Sequence, residues 1–547
     1  MEVFRVSEPS SLGRALGLVT ISLGVALIVV DATIVNVIVP SVIEDLGIGS
    51  AEAQWTQESY AIVFAAFLLL AGRVADIVGA RRVFVAGLVA FGATSVLAGV
   101  APDGGLLVAA RFLQGAGAAM ILPTSLSLLN ATFTGAARGR AFAVWGSTIG
   151  AASALGPVLG GWLTEQASWR WAFGINVPLT ALLCAGALLF FAPSPRAGGR
   201  IDAAGAVLSV LGLGLLAFGL VEGRHYGWFA SVRPLELPGA TWGAGPSPAF
   251  AALLLAVLLL AAFVRRQVRL VRRGDAGRAL MDVRLFSIAS FRNGNVVTLI
   301  IGMGEFGVLA VLPLWLQFTL GYSALEAGLA LVPLAAGSFC ASGAAFGMPV
   351  SPLGQVRLGL ALEVAGLAAL GLVASPDSSW WPVALALFGY GVGVGFATAQ
   401  VTNVVLADVP PRSAGQASGV QSAFRELGFA LGIALLTTLF FTALGARIRD
   451  RLTADGVPDG AADAHAGAVT DSAGAAIGAL AGRPETAPVA DAARAAMADG
   501  VALCSYAAAA CVVIGLVATA LIPASRPAAD GGRPRDGAPA DAAEVRT

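Results

Sequence analysis

About fourteen times in 547 residues the chain runs apolar for roughly the twenty residues that cross a bilayer. The runs fall near 16–39, 55–74, 83–101, 106–129, 141–163, 171–192, 201–221, 248–264, 294–318, 324–346, 357–375, 382–406, 419–442 and 501–523. Backbone N–H and C=O groups in hydrocarbon must be satisfied internally, which leaves helices or a closed barrel, and runs of this length read as helices. The chain is 57% hydrophobic and only 12% charged, with mean hydropathy +0.82. An all-α integral membrane protein is expected.

Composition removes several function classes. Every basic residue is arginine. Without lysine there is no GxxxxGK[ST] phosphate loop, which argues against an ATP-driven pump, and no lysine Schiff base. His225 and His465 lie far apart, which speaks against a histidine metal cluster. Cys184, Cys340, Cys504 and Cys511 fall in apolar runs; Cys504 and Cys511 share a helix face and read as small buried residues rather than a redox pair. A formal net charge of +0 points to no nucleic-acid partner. The arginine run from Arg265 to Arg273 reads instead as a positive-inside loop. Connections after even-numbered runs carry Arg73, Arg81 and Arg82, then Arg138 and Arg140, then Arg196 and Arg200, whereas the first opposite loop holds Glu44, Asp45 and Glu52. Those arginine-rich connections and both termini are expected to be cytoplasmic.

The expected organisation is a cytoplasmic N-terminus over 1–15 and a six-helix bundle over 16–192. Two inserted helices and a basic cytoplasmic loop follow over 193–293. A second six-helix bundle covers 294–523, with a long external loop at 443–500 rich in Ala, Gly and Asp and given no folded domain. A disordered cytoplasmic tail occupies 524–547. The first helix of each bundle carries a carboxylate followed by a proline: Asp31 then Pro40, Glu305 then Pro313. Such paired placement is the mark of a repeat-built transporter.

Asp31 is the leading functional candidate: a carboxylate inside a membrane helix costs a few kcal/mol and must be hidden from lipid, so it is expected to face the cavity between the bundles. Asn36 and Thr33 add polarity to the same helix. At 1.5 Å per residue Asp31 lies about 13 Å, and Arg111 about 9 Å, from the outer ends of their helices, depths that permit a charge pair or a water-bridged contact. Glu305 falls about 18 Å into its own run, as a substrate or proton site or as a carboxylate that stays protonated. Glu363 sits nearer the cytoplasmic end, where facing water is an alternative to function. Glu58 is expected to be solvated at the outer mouth. Arg425 and Glu426 are adjacent on one helix, about 100° apart, and are expected to meet different partners.

Several motifs carry a resemblance. Gly72-Arg73-Val74-Ala75-Asp76-Ile77-Val78-Gly79-Ala80-Arg81-Arg82 resembles the cytoplasmic loop signature of the major facilitator superfamily, with Ile77 and Ala80 in place of arginines; Asp76 can accept hydrogen bonds from a helix N-terminus or an arginine. Asp31-Ala32-Thr33-Ile34-Val35-Asn36-Val37 is similar to the first-helix signature of the fourteen-helix drug:proton antiporters. Arg111 through Ala119, including Gln114, resembles their fourth-helix motif. Gly156-Pro157-Val158-Leu159-Gly160-Gly161 resembles their antiporter motif, and Trp169 through Pro178 the opening of their sixth helix. The match covers about 30–180; the second half matches by helix count and by Gly415 to Gly428.

The resemblance implies a major facilitator fold of two six-helix bundles plus two inserted helices. It implies proton-coupled export of amphiphilic small molecules by alternating access, with Asp31, Arg111 and Glu305 as coupling or cavity residues. No cofactor is expected, the proton gradient being the energy source. The expected partners are a small-molecule substrate, protons and the lipid bilayer, with the protein as a monomer. Two rivals stay open: a dedicated exporter of one metabolite or lipid-like product, and a transport-dead membrane receptor or enzyme. No nucleophile–base–orienter set appears in the polar segments.

Overall fold

The computed structural model describes residues 11–48, 50–194, 200–237, 240–243, 245–345, 348–410 and 413–522. Long helices dominate, as the apolar runs require. The first bundle is built from α1 (Ser11–Leu46), α2 (Ser50–Val78), α3 (Ala80–Gly99), α4 (Gly104–Thr132), α5 (Gly135–Gln166), the single turn α6 (Trp171–Gly174) and α7 (Asn176–Phe190). The inserted pair is α8 (Ala203–Tyr226) and α9 (Pro248–Arg272). The second bundle comprises α10 (Ala289–Phe318), α11 (Ala324–Ala330), α12 (Val332–Ala345), α13 (Pro352–Val373), α14 (Trp380–Val405) and α15 (Ala414–Ala454). After α16 (Asp459–Asp471) and α17 (Ala476–Ala481), α18 (Ala487–Ala518) returns to complete it. Among the described residues thirteen helices are long and apolar enough to cross a membrane, and fourteen if the two bent halves of α5 form one span.

Helices in lipid gain little from hydrophobicity against one another and associate by close packing, so small residues mark their contacts. In the first bundle α1 packs on α5 and α7, and α4 on α2 and α3. In the second, α13 and α12 pack on α14, and α10 on α15 and α18. The inserted helices pair with each other, and α8 leans on α2 and α15. The bundles meet through α2 and α4 against α15, and α5 against α12 and α14. Large side chains such as Trp145, Trp315, Phe84 and Phe91 are fully buried between helices.

Two segments differ from the sequence reading. The stretch 443–500, expected to be a loop without a fold, is mostly helical. Here α15 continues to Ala454, α16 and α17 follow, and α18 starts at Ala487. Apolar residues spaced along it explain this, since Leu444, Ile448, Leu452, Ala462, Ala466, Val469 and Ile477 are all buried. Ion pairs between Arg451 and Asp499 (2.7 Å) and Arg449 and Asp463 (2.9 Å) surround that small core. The second difference is a β-hairpin between α8 and α9, in which β1 (Leu235–Leu237) pairs antiparallel with β2 (Ala240–Trp242), Glu236 opposite Thr241.

Candidate functional site: a buried ion pair and an inter-bundle latch

Asp31 on α1 and Arg111 on α4 form an ion pair at 2.5 Å in the interior of the first bundle, 0% and 1% exposed. The similar depths read from the sequence are realised as direct contact. Asp31 Oδ1 accepts from Gln114 Nε2 (2.8 Å) and from Asn176 Nδ2 (2.7 Å), while Oδ2 takes the guanidinium. Gln114 and Asn176 also both donate to Ser95 Oγ on α3, at 2.9 and 3.2 Å. Arg111 in turn donates to Gln114 Oε1 (2.7 Å) and to the Thr56 carbonyl (3.1 Å), and its guanidinium lies 4.4 Å from the Tyr60 ring centre. A buried ion pair persists only when its remaining donors and acceptors are met, and here Thr56 of α2, Gln114 of α4 and Asn176 of α7 supply them.

The enclosure corrects one expectation. Asp31 was expected to face the cavity between bundles; instead its hydrogen-bond and ion-pair partners among the described residues come from the first bundle, so the polar cluster that hides it from lipid is internal to that bundle. Tyr60, Ser95 and Asn176 went unassigned in the sequence. Asn176 was within reach, since it stands in the quoted Trp169–Pro178 motif; Ser95 and Tyr60 carry no motif and needed the packing to find them.

Two residues along α1, Thr33 seats α5. A methyl group at Gly156 would lie 1.9 Å from Thr33 Oγ1, and one at Gly160 would lie 2.9 Å from an Ile34 side-chain carbon. Pro157 removes a backbone donor from α5, and the two halves of that helix meet at 40°. On its other side Pro157 faces Gly328 of α11 in the second bundle, whereas a methyl group at Gly161 would come only within 3.9 Å of Leu325, an ordinary contact. Gly156, Pro157 and Gly160 therefore hold the bend between the ion-pair helix and the opposite bundle.

The second centre lies at the arginine-rich end. Asp76 at the end of α2 accepts from the backbone N–H groups of Gly415 (2.7 Å) and Gln416 (2.9 Å), the free donors at the start of α15. An acid at a helix N-terminus meets both unpaired donors and the positive end of the dipole. The approach requires glycine: a Cβ at Gly72 would lie 2.4 Å from the Gly415 carbonyl oxygen. Nearby, Arg138 Nη2 donates to the Asn403 carbonyl (3.3 Å) and Gln400 Nε2 to that of Gly139 (3.4 Å), so this end is closed by bonds between bundles. The α9–α10 connection joins in, with Arg73 donating to the Gly277 carbonyl and the Asp282 N–H to Gln416 Oε1 (2.8 Å). Gly79 adopts φ +105° at the turn into α3. Arg81 turns away from the latch to the Leu188 carbonyl (2.7 Å), and Arg82 is exposed.

The remaining candidates scatter. Glu363 is fully buried in α13, its stem against Gly393 of α14, which corrects the expectation that it faces water. The glycine is small enough to let the side chain fold inward. Glu58 is half-buried, again less solvated than expected. Arg425 and Glu426 do touch, at 3.7 Å, against the expectation of separate partners, because Arg425 is flattened between Trp145 (5.3 Å) and Phe429 (5.6 Å). The side chains of Glu305 and Asn36 lie outside the described residues.

Comparison with known proteins accords with this architecture. The family pattern described as Major Facilitator Superfamily matches residues 21–433. The chain is 35% identical over 431 residues to a probable actinorhodin transporter of Streptomyces coelicolor, covering 76% of this chain and 71% of that one. It is 34% identical to a puromycin resistance protein of Streptomyces alboniger (80% and 84% covered) and to a cephamycin export protein of Amycolatopsis lactamdurans (76% and 82%). In fold it resembles the human organic anion transporter MFSD10, with TM-score 0.60 at 14% identity over 92% of this chain and 99% of that one. It also resembles the proton:xylose symporter XylE, with TM-score 0.55 at 13% identity over 86% and 96%. This multi-pass membrane chain thus belongs to the Major Facilitator Superfamily, among relatives of the drug:proton antiporter type that are antibiotic and multidrug exporters.

Proposed function

We propose that the protein exports amphiphilic, antibiotic-like small molecules across the cytoplasmic membrane in exchange for protons, by alternating access. The relatives support the export of antibiotics; the buried Asp31–Arg111 pair carries the proton coupling. Protonation of Asp31 removes the charge that Arg111 is paired with. An uncompensated buried guanidinium is strongly unfavourable, so Arg111 is driven toward Tyr60 and the charges beyond it. That shift acts on α1 and, through Thr33 and Gly156, on the bent α5 at the bundle interface. The arginine-rich end is read as cytoplasmic, so the Asp76–α15 contact is a shut inner gate. Opening it exposes the pathway to the cytoplasm, as rocking of one bundle against the other requires.

In proteoliposomes with an imposed pH gradient, wild type should show substrate-dependent proton flux. Asp31→Asn should reach wild-type protein levels yet lose gradient-driven export, and Asp31→Glu should retain part of it. Full transport by Asp31→Asn would refute the coupling role. A cysteine at Gly274 should be labelled only from the cytoplasm and one at Gly460 only from outside; the reverse would overturn the orientation. Relatives named for a single compound favour a second reading, a dedicated exporter of one product. Competition among chemically unrelated compounds in the same transport assay separates it from a multidrug profile.

A further inference from the structure

The outer flank of the α2–α3 turn bears a cavity of about 480 Å³ that neither the ion pair nor the latch uses. Its walls are apolar: Val78, Val85 and Leu188 line it, and Val78 and Leu188 are 40% and 55% exposed on the surface turned away from the other bundle. At one end stand Arg81 and Arg82, with Ser194 beside them. Among the described residues lining it there is no carboxylate. Arg81 spends one donor on the Leu188 carbonyl, and its backbone N–H goes to Ser194 Oγ (3.0 Å), which fixes the arginine at the rim. Arg82 is exposed. Both arginines precede Val83, where the apolar run of α3 enters the membrane, so they stand at headgroup level with hydrocarbon below.

We infer that this groove binds an anionic phospholipid of the cytoplasmic leaflet, the phosphate on Arg81 and Arg82 and an acyl chain along the α3–α7 face. The charge decides the class. Two cations without an acid leave a zwitterionic headgroup's ammonium unmatched, whereas a net negative headgroup neutralises the charge of the pair. The apolar walls select a lipid over free phosphate. The proposal rests on the cytoplasmic orientation of this end but not on the export reading, and the Gly274 and Gly460 labels test that orientation separately.

The test is lipid retention by the purified full-length protein, measured by native mass spectrometry against equal amounts of phosphatidylglycerol and phosphatidylcholine. A basic residue at a membrane surface is worth about a fivefold preference, so wild type should favour phosphatidylglycerol by about thirtyfold. Arg82→Gln should lower that by about fivefold and Arg81→Gln/Arg82→Gln should bring it near parity, while Arg82→Lys keeps it. Arg272→Gln/Arg273→Gln, which removes two exposed arginines at the end of α9, should change nothing. The proposal is overturned if the Arg81/Arg82 double variant keeps its preference, or if the Arg272/Arg273 control loses as much. It is also overturned if glycerophosphate without acyl chains displaces the lipid at equal concentration, which would make the occupant a soluble phosphate. Should Arg81→Gln fail to fold, the exposed Arg82→Gln and Arg82→Lys decide alone.

Discussion

Removing the Asp76 side chain should open the arginine-rich end, and the structure gives the size of the effect. Asp76 takes two backbone donors at 2.7 and 2.9 Å from α15. Hydrogen bonds to a charged group are worth about 1.5–3 kcal/mol each net of water, so the pair favours closure by about 3–6 kcal/mol. The helix dipole adds about 0.3–1 kcal/mol. Asp76→Ala should raise the open-to-closed ratio at this end by about a hundredfold or more, at 1.4 kcal/mol per tenfold. Asp76→Asn, which keeps one acceptor oxygen, should fall between. Ser418 reports the opening: it is fully buried and three residues past Gly415, on the same side of α15. With Cys184, Cys340, Cys504 and Cys511 replaced, Ser418→Cys should react with a bulky maleimide at a rate that tracks the open population. Equal labelling rates with and without the Asp76→Ala substitution would show that the contact does not hold the gate.

Three further outcomes are expected. Arg111→Gln should destabilise the folded protein by about 3–5 kcal/mol, and Asp31→Asn/Arg111→Gln should recover most of that without restoring export; additive effects in unfolding titrations would argue against a coupled pair. Gly156→Ala should cost about 1–3 kcal/mol because its methyl would meet Thr33, and Thr33→Ala, which removes the hydroxyl but leaves the Thr33 Cβ and the Val30 carbonyl within 3.0 Å, should relieve only part of it; a neutral Gly156→Ala in thermal unfolding would place the α1–α5 contact elsewhere. Asp45 accepts from Arg170 and from Trp169 Nε1 (3.0 Å), and those hydrogen bonds hold its carboxyl below the usual range. A depressed pKa gives a stabilisation that is complete above the unfolded value and lost as pH falls through the folded one. Thermal stability should therefore decline on acidification below about pH 4, and less steeply in Asp45→Asn.

The helices were legible because hydrocarbon permits so few backbone solutions, and the matching depths of Asp31 and Arg111 were legible from residue count, which left a direct pair and a water-bridged contact both open. Asp76 was readable as an acceptor for a helix end, though not which end, since Gly415 lies 339 positions away. Helical rotation was not legible: it decides that Asp31 turns into its own bundle and that Glu363 turns away from water, and it depends on neighbours distant in sequence. The 443–500 stretch misled because its Ala- and Gly-rich composition mimics a linker, while the apolar positions that fold it are sparse.

The helix that begins at the Asp76 contact runs without interruption for 41 residues. At 1.5 Å per residue it is about 60 Å long, twice the depth of the hydrocarbon layer. Its far end carries the helical outer cap through Leu444, Ile448 and Leu452. A beam of that length, pivoting by about 10°, sweeps its tip through about 10 Å. If α15 pivots as a rigid beam, the cap acts as a dial on which a small rotation at the Gly415 end is magnified at the opposite end of the helix. With the arginine-rich end cytoplasmic, as proposed, a fluorophore attached near Asp463 should report movement at the Asp76 contact from the other side of the membrane.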